Sequence, residues 1–197
     1  MKLFRTIATL FVPLLPILLL TASYGQQSPS PAYASAARKF AWIGENGRKA
    51  NPSSQPTVLT AAEWNAYLNE GGVKLPEGVS KVTITTQHGV VHGDAEIDFD
   101  RLTASRTRSN PFLELFTGRH HVTVTAQASA VNGIGTVHIE TVAFDGVEVP
   151  RIALEYFVSR YLRPKFGNAV DLDSTFHLHS RIDTAIIDTN NVTITQR

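Results

Sequence analysis

The sequence predicts an α+β fold in which a mainly antiparallel, curved sheet of about six strands packs against two helices. Two short segments carry apolar residues at the three- and four-residue spacing of a helix. In the segments between and after them, apolar and polar residues alternate, which is the pattern of half-buried strands. Turns rich in glycine and asparagine join the alternating segments into consecutive hairpins, and consecutive hairpins favour antiparallel pairing.

The first helix is predicted to begin at Thr60. Thr60 and Glu63 match a capping box, in which each side chain bonds the main-chain N–H of the other residue. Aromatic and leucine side chains within residues 64–68 then share one helical face. Gly71 and Gly72 end the helix, which therefore spans about ten residues.

Two hairpins are predicted after this helix. In the first, residues 82–85 and 95–100 alternate between apolar and polar side chains, and Gln87 to Gly93 form the turn. In the second, the strand over residues 122–130 turns back at Asn132–Gly135. One face of that strand carries only alanine at its end, which leaves room for a bulky group opposite.

The second helix is predicted to begin with Pro150 as its first helical residue, because proline suits the first turn. It continues to about Pro164 and carries an apolar stripe. The stripe consists of Leu154, Phe157, Val158, Tyr161 and Leu162. The alternation of residues 176–183 predicts a further strand, and residues 185–187 and 192–194 complete a final hairpin.

Residues 1–25 have the layout of a secretory signal peptide. Lys2 and Arg5 precede an uncharged apolar run, and small residues follow it. Cleavage is predicted after Gly25 or after Ala34, which gives a periplasmic or secreted protein. The alternative is an uncleaved N-terminal membrane anchor, although the apolar run of about 15 residues is short for a span.

The composition limits the classes of partner and cofactor. The chain has 18 basic and 17 acidic residues, and without residues 1–25 the balance is close to neutral, which argues against nucleic acid as a partner. The chain has no cysteine, which excludes disulfides, thiolate metal sites and a lipidated N-terminus. We predict no cofactor, a signal peptide over 1–25, a weakly ordered Pro/Ser-rich lead-in over 26–57 and one domain over 58–197.

The histidines and acidic residues are the candidates for catalytic or metal chemistry. Seven histidines are spread along the chain, and acidic residues alternate along the strand at 96–100. A metal site needs at least three converging ligands, and the spacing gives no such convergence. We interpret both groups as the solvated face of a sheet, with a carboxylate- or metal-dependent hydrolase as the alternative.

The connection between residues 101 and 121 combines arginines with a Phe/Leu cluster. Arginines suit phosphate head groups while aromatic rings enter the acyl region of a bilayer. The predicted membrane or head-group contacts are Arg106, Arg108, Phe112 and Phe116. The alternative is that the apolar members cap the end of the hydrophobic core.

The helical opening from Leu59 to Leu68 resembles the start of small exported lipid-binding domains. These are the LmeA-type phospholipid-binding proteins of the bacterial envelope, which are related in shape to tubular lipid-binding and AsmA-like domains. Paired long strands, a helix entered through Val149–Pro150 and a final hairpin extend the resemblance over residues 58–197. The resemblance implies a curved sheet around a helix, an apolar groove for acyl chains and no catalytic residues.

We therefore expect a non-enzymatic domain that binds a phospholipid or other amphiphile between the sheet and the second helix. The expected ligand-binding residues are Ala126, Ala128, Leu154, Phe157, Val158 and Tyr161. The alternatives are a structural or protein-interaction module of the cell envelope and, less favoured, the hydrolase named above.

Overall fold

The computed structural model describes residues 29–102, 117–166 and 171–197, and in this part of the chain the predicted α+β class is confirmed. The described strands form one sheet, and all of its pairings are antiparallel. It contains nine strands rather than about six, because short strands such as β1 and β6 have too few residues to show an alternating pattern.

The elements follow one another along the chain in an order close to the predicted one. The helices are α1 (Pro31–Asn46), α2 (Ala61–Asn69), α3 (Phe99–Leu102), α4 (Arg151–Phe157), a π-helical segment (Val158–Leu162) and α5 (Arg163–Phe166). The strands are β1 (Thr57–Thr60), β2 (Val79–Gln87), β3 (Val90–Asp98), β4 (Arg119–Val131), β5 (Ile134–Phe144), β6 (Val147–Glu148), β7 (Asp173–His177), β8 (Ile182–Asp188) and β9 (Asn191–Gln196). Neighbouring strands run in the order β1-β9-β8-β4-β3-β2, and β5 pairs with β4, β6 and β7.

The first predicted helix is present as α2 with its predicted cap. The Thr60 hydroxyl accepts a hydrogen bond from the Glu63 N–H, and the Glu63 carboxylate accepts one from the Thr60 N–H. The helix ends at Asn69, and Gly71 follows with a positive φ of 93°. The second predicted helix begins one residue later than expected, at Arg151. Pro150 is its N-cap residue, because its ψ of 136° is not helical.

Helix α1 lies within the segment that we expected to be weakly ordered. Its 16 residues begin at Pro31, where the Ser30 hydroxyl accepts a hydrogen bond from the Tyr33 N–H. The small and polar composition hides a helical spacing, because Tyr33, Ala36, Phe40 and Ile43 recur at three- and four-residue intervals. Ala36 and Ile43 are buried, and the ring of Phe40 packs against the ring of Trp64 in α2.

Four details of the predicted strands are wrong. The strand predicted over 95–100 ends at Asp98, because Phe99 and Asp100 belong to helix α3. The second hairpin turns at Asn132 and Gly133 and not over Asn132–Gly135, because Ile134 begins β5.

The first hairpin turns at His88–Gly89, where both residues have positive φ, and not over the whole of Gln87–Gly93. The predicted strand over 176–183 is interrupted, because Ser180 and Arg181 adopt left-handed backbone with φ of 57° and 53°. Left-handed backbone cannot continue a strand, so the chain changes direction there between β7 and β8.

One face of the sheet carries two separate apolar clusters. The α4 cluster consists of Phe99, Val122, Val142, Val149, Ala153, Leu154, Phe157, Val158 and Leu172. The α1 cluster consists of Ile43, Leu59, Val192 and Ile194, with Ala185 and Trp64 packed against it. Directly paired residues of a sheet point to the same face, and Ala130 of β4 pairs with Ala185. Both clusters therefore lie on the face to which the even-numbered residues of β4 point.

Candidate functional site

On the helix-covered face of strand β4, the side chains change from valine at one end to alanine at the other. Val122 and Val124 pack in the α4 cluster at one end of the strand. Ala126, Ala128 and Ala130 follow on the same face, since successive side chains of a strand alternate between faces. Ala126 and Ala130 are buried although neither belongs to the α4 or α1 cluster, and Ala128 is half-buried.

The neighbouring strands extend these alanines into a band of small side chains. Pairing joins Ala126 to Ile139, Ala128 to Val137 and Ala130 to Gly135 of β5. We call the surface formed by Ala126, Ala128, Ala130, Gly135 and Val137 the apolar strip. It runs from the α4 cluster towards the α1 cluster, because Ala130 pairs with Ala185.

The predicted ligand-binding residues divide between the strip and the α4 cluster. Ala126 and Ala128 lie on the strip, whereas Leu154, Phe157 and Val158 are buried together with Phe99, Val122, Val142 and the rest of the α4 cluster. The three helical residues therefore pack against the valine end of the sheet. Tyr161 belongs to the π-helical segment, and its side chain lies outside the described part.

An aromatic ring closes the far end of the apolar strip. Gly135 pairs with Phe176 of β7, and the ring lies so close that a Cβ built on Gly135 would be 2.7 Å from it. The phenylalanine is nevertheless 43% exposed. The ring therefore lies on small neighbours while part of it faces water. Sequence reasoning missed it because the alternation only marked Phe176 as a core-facing strand residue.

A cavity of about 520 Å³ lies between α4 and the start of β7. Arg151, Ile152, Arg163, Asp171 and Asp173 are among its lining residues. Each guanidinium is paired with a carboxylate: Arg151 with Asp173, and Arg163 with Asp171. Ile152 is 75% exposed at the same place. The cavity therefore combines charges of both signs with exposed apolar surface.

Ile139 of β5 is a neighbour of both this cavity and the apolar strip. The Ile139 N–H donates to the Leu172 carbonyl, and Leu172 also lines the cavity. Ile139 in turn pairs with Ala126 of the strip. The Arg151 guanidinium donates to the Ile139 carbonyl at 3.3 Å, so a charged group lies where the strip meets α4.

A second cavity of about 680 Å³ borders β4, β5 and β7, and its lining includes Ala128 and Val137 of the apolar strip as well as polar side chains. Its polar lining includes Ser129 and Thr136, whose hydroxyls are 2.7 Å apart, and His138 beside Asp173. The hydrogen bond from the His138 ring, followed by the Arg151 charge, lowers the pKa of the Asp173 carboxyl. Asp173 therefore pairs with both the His138 ring and the Arg151 guanidinium.

Four of the seven histidines are paired with aspartates from another part of the chain. The pairs are His88–Asp188, His120–Asp145, His121–Asp94 and His138–Asp173. Within the described residues, no group of three or more histidine and carboxylate side chains is placed to hold a metal ion. The histidines in this part of the chain thus form separate histidine–aspartate pairs.

The predicted head-group residues Arg106, Arg108, Phe112 and Phe116 lie outside the described residues. In the described part of the chain, no helix combines the length and apolar character needed to cross a bilayer. No protein-family model, curated protein or solved structure matches this chain.

Proposed function

We propose that this chain is an exported, non-enzymatic domain that binds a phospholipid or other amphiphile. The observation that carries the proposal is the apolar strip of alanine and glycine between two separate apolar clusters. Small side chains on a sheet leave space for an acyl chain, which would lie along Ala126, Ala128 and Ala130. The exposed ring of Phe176 supports this position, since it extends the apolar surface at the end of the strip.

The head group would occupy the cavity between α4 and β7. Guanidinium groups bind phosphate oxygens, and carboxylates accept hydrogen bonds from ammonium or hydroxyl groups. The cavity contains two arginines, Arg151 and Arg163, and two aspartates, Asp171 and Asp173. It therefore suits a head group that carries a positive and a negative charge. The π-helical segment after Phe157 supports a site beside α4, because π-helical turns often occur at functional sites.

The first experiment asks whether an amphiphile is bound at all. The protein is recovered after export and measured by native mass spectrometry, and a fluorescent fatty acid is titrated in and displaced with phospholipid. Co-purified lipid or saturable displacement supports the proposal. Absence of lipid together with absence of displacement would refute it.

The second experiment locates the ligand with a matched pair of variants. Ala128→Leu fills the half-buried centre of the strip, whereas Gln127→Leu adds similar apolar volume to the polar face of the same strand. We expect Ala128→Leu to weaken binding of the fluorescent fatty acid about tenfold or more, which corresponds to about 1.4 kcal/mol. Equal weakening by both variants would contradict binding on the strip.

A further inference from the structure

The outward face of α1 concentrates positive charge around an exposed tryptophan. Arg38 and Trp42 are four residues apart and therefore neighbours on the helix surface, and both are exposed. Trp42 is 40% exposed. The Lys49 ammonium lies 4.5 Å from the centre of the Trp42 ring, and Arg48 is also exposed.

A further cation reaches this surface from the other end of the chain. The Arg181 guanidinium donates to the Ala50 carbonyl at 2.9 Å, just after Lys49. Residues 31–56 contain four basic residues and one acidic residue, Glu45. From residue 57 onwards the chain contains 12 basic and 16 acidic residues. Basic residues therefore outnumber acidic ones in the segment that contains α1, and they are outnumbered in the rest of the chain after it.

The surface is held rigidly on the domain by the opposite side of α1. Lys39, the remaining cation of the helix, is bound to the buried Glu63 carboxylate at 2.6 Å. The Tyr33 ring stacks on Tyr67 at a centroid distance of 5.7 Å, and Ala36 is fully buried. These contacts fix which side of the helix faces away from the domain.

We propose that Arg38, Trp42, Arg48 and Lys49, with Arg181, form a docking surface for an anionic lipid bilayer. Tryptophan prefers the boundary between water and acyl chains, and arginine and lysine beside it attract anionic head groups. Charge complementarity alone would also suit a soluble polyanion, but the exposed indole favours a lipid surface. This inference rests on the proposed function only for the location outside the cytoplasm. It does not require that a ligand binds on the apolar strip.

The test uses the chain recovered after export and vesicles of phosphatidylcholine with or without phosphatidylglycerol. We expect sedimentation with the anionic vesicles only, weakening as salt rises, and a blue shift of tryptophan emission. Trp42→Phe should abolish most of the shift, since the other tryptophan, Trp64, packs in the α1 cluster. Equal binding to both vesicle types, or a shift that survives Trp42→Phe, would overturn the proposal.

A matched pair of triple variants tests the cations. Replacing Arg38, Arg48 and Lys49 by glutamine should weaken anionic-vesicle binding about 100-fold, because each cation near such a surface contributes about 1 kcal/mol. The control replaces Lys74, Lys81 and Arg160 by glutamine, which removes the same charge from exposed positions outside α1 and outside residues 101–121.

Three results of this comparison would overturn the proposal. They are equal weakening by the control, failure of wild-type protein to bind anionic vesicles, and binding of soluble polyphosphate without vesicle binding. Fatty-acid displacement measured on the same variants separates the two proposals, because the docking variants should keep it and Ala128→Leu should lose it.

Discussion

The side-chain amide of Asn65 forms two hydrogen bonds with the main chain of Ile84. The Ile84 N–H donates to the side-chain Oδ1 of Asn65 at 2.7 Å, and the side-chain Nδ2 of Asn65 donates to the Ile84 carbonyl at 2.9 Å. One helical turn later, Asn69 makes the same pair of bonds with Val82. Helix α2 thus provides partners for main-chain N–H and C=O groups on the outer edge of β2. Without them this edge would be open to pairing with another chain.

Loss of the Asn65 amide should destabilise the domain and expose this edge. Asn65→Ala leaves a half-buried N–H and C=O of Ile84 without their partner, and we expect a loss of about 1–3 kcal/mol in the free energy of unfolding. Urea denaturation measures the loss, and light scattering measures association through the free edge. Asn69→Ala should cost less, because its hydrogen bonds are exposed. A larger loss for Asn69→Ala would contradict this account.

The buried carboxylate of Glu63 should make stability fall at acid pH. Burial raises its pKa, but hydrogen bonds from Lys39, Ser35 and the Thr60 N–H outweigh burial and lower the pKa to about 2. A lowered pKa in the folded state stabilises the fold above the unfolded value near 4.5, and the gain is lost as pH falls from about 4.5 to 2. The shift corresponds to about 3 kcal/mol at neutral pH.

Glu63→Gln provides the measurement for this carboxylate. The variant keeps a side chain of the same shape but loses the charge that pairs with Lys39. We expect it to be about 3 kcal/mol less stable than the wild type at pH 7 and nearly equal to it at pH 2. Other carboxyl groups titrate in both proteins and cancel in the difference. A difference that stays constant with pH would show that the charge is unimportant.

The sequence was sufficient for those parts of the fold that depend on local pattern. The capping box at Thr60 and the Asn132–Gly133 turn are set by neighbouring residues, and both are present. For helix α1, a docking helical turn at Phe40–Ile43 was predicted but not the full 16 residues, because its apolar residues are few and it depends on packing of Phe40 on Trp64. The break at Ser180 is equally non-local, since this residue packs against Gly47.

The candidate site shows the same division between local and long-range information. The alternation along β4 identified Ala126 and Ala128 as residues of one apolar face. It could not show that Leu154 packs with the valine end of that strand, because the register of α4 on the sheet depends on contacts such as Phe99 with Phe157. Nor could it bring Arg151 to Asp173, 22 positions later.

The ion pair between His120 and Asp145 should give a second, opposite pH dependence. The hydrogen bond that the His120 ring donates to the Asp145 carboxylate outweighs burial and raises the pKa of His120 above its usual value of 6.5. The pair therefore stabilises the fold fully between the usual Asp145 pKa of 3.8 and pH 6.5, and the histidine contribution is lost as pH rises through the raised pKa. NMR titration of the His120 ring should give a midpoint above 6.5.

Asp145→Asn tests the cause of that shift with little change to the turn. Asp145 has a φ of 50° in the Asp145–Gly146 turn, and asparagine adopts this conformation readily. The amide oxygen can still accept the bond that the His121 N–H donates to Asp145. We expect the His120 midpoint to fall in the variant. An unchanged midpoint would exclude the Asp145 charge as the cause.

Two glycines at the end of α1 should respond in opposite directions to alanine. Gly47 has a φ of −65°, which any residue adopts, but a Cβ there would lie 2.3 Å from the Ser180 carbonyl oxygen. Main-chain atoms cannot move aside as a side chain can, so Gly47→Ala should cost about 1–3 kcal/mol. A Cβ on Gly44 would meet its nearest neighbour, an Arg48 nitrogen, at 4.0 Å.

Gly44→Ala is therefore the matched control, and it should stabilise the protein by up to about 1 kcal/mol because alanine favours a helix. Urea denaturation of the two variants measures both changes under the same conditions. We expect changes of opposite sign in the free energy of unfolding only if the end of α1 is packed on the turn between β7 and β8. Stabilisation by both substitutions would mean that α1 is free at this end, and it would also remove the rigid support of the docking surface around Trp42.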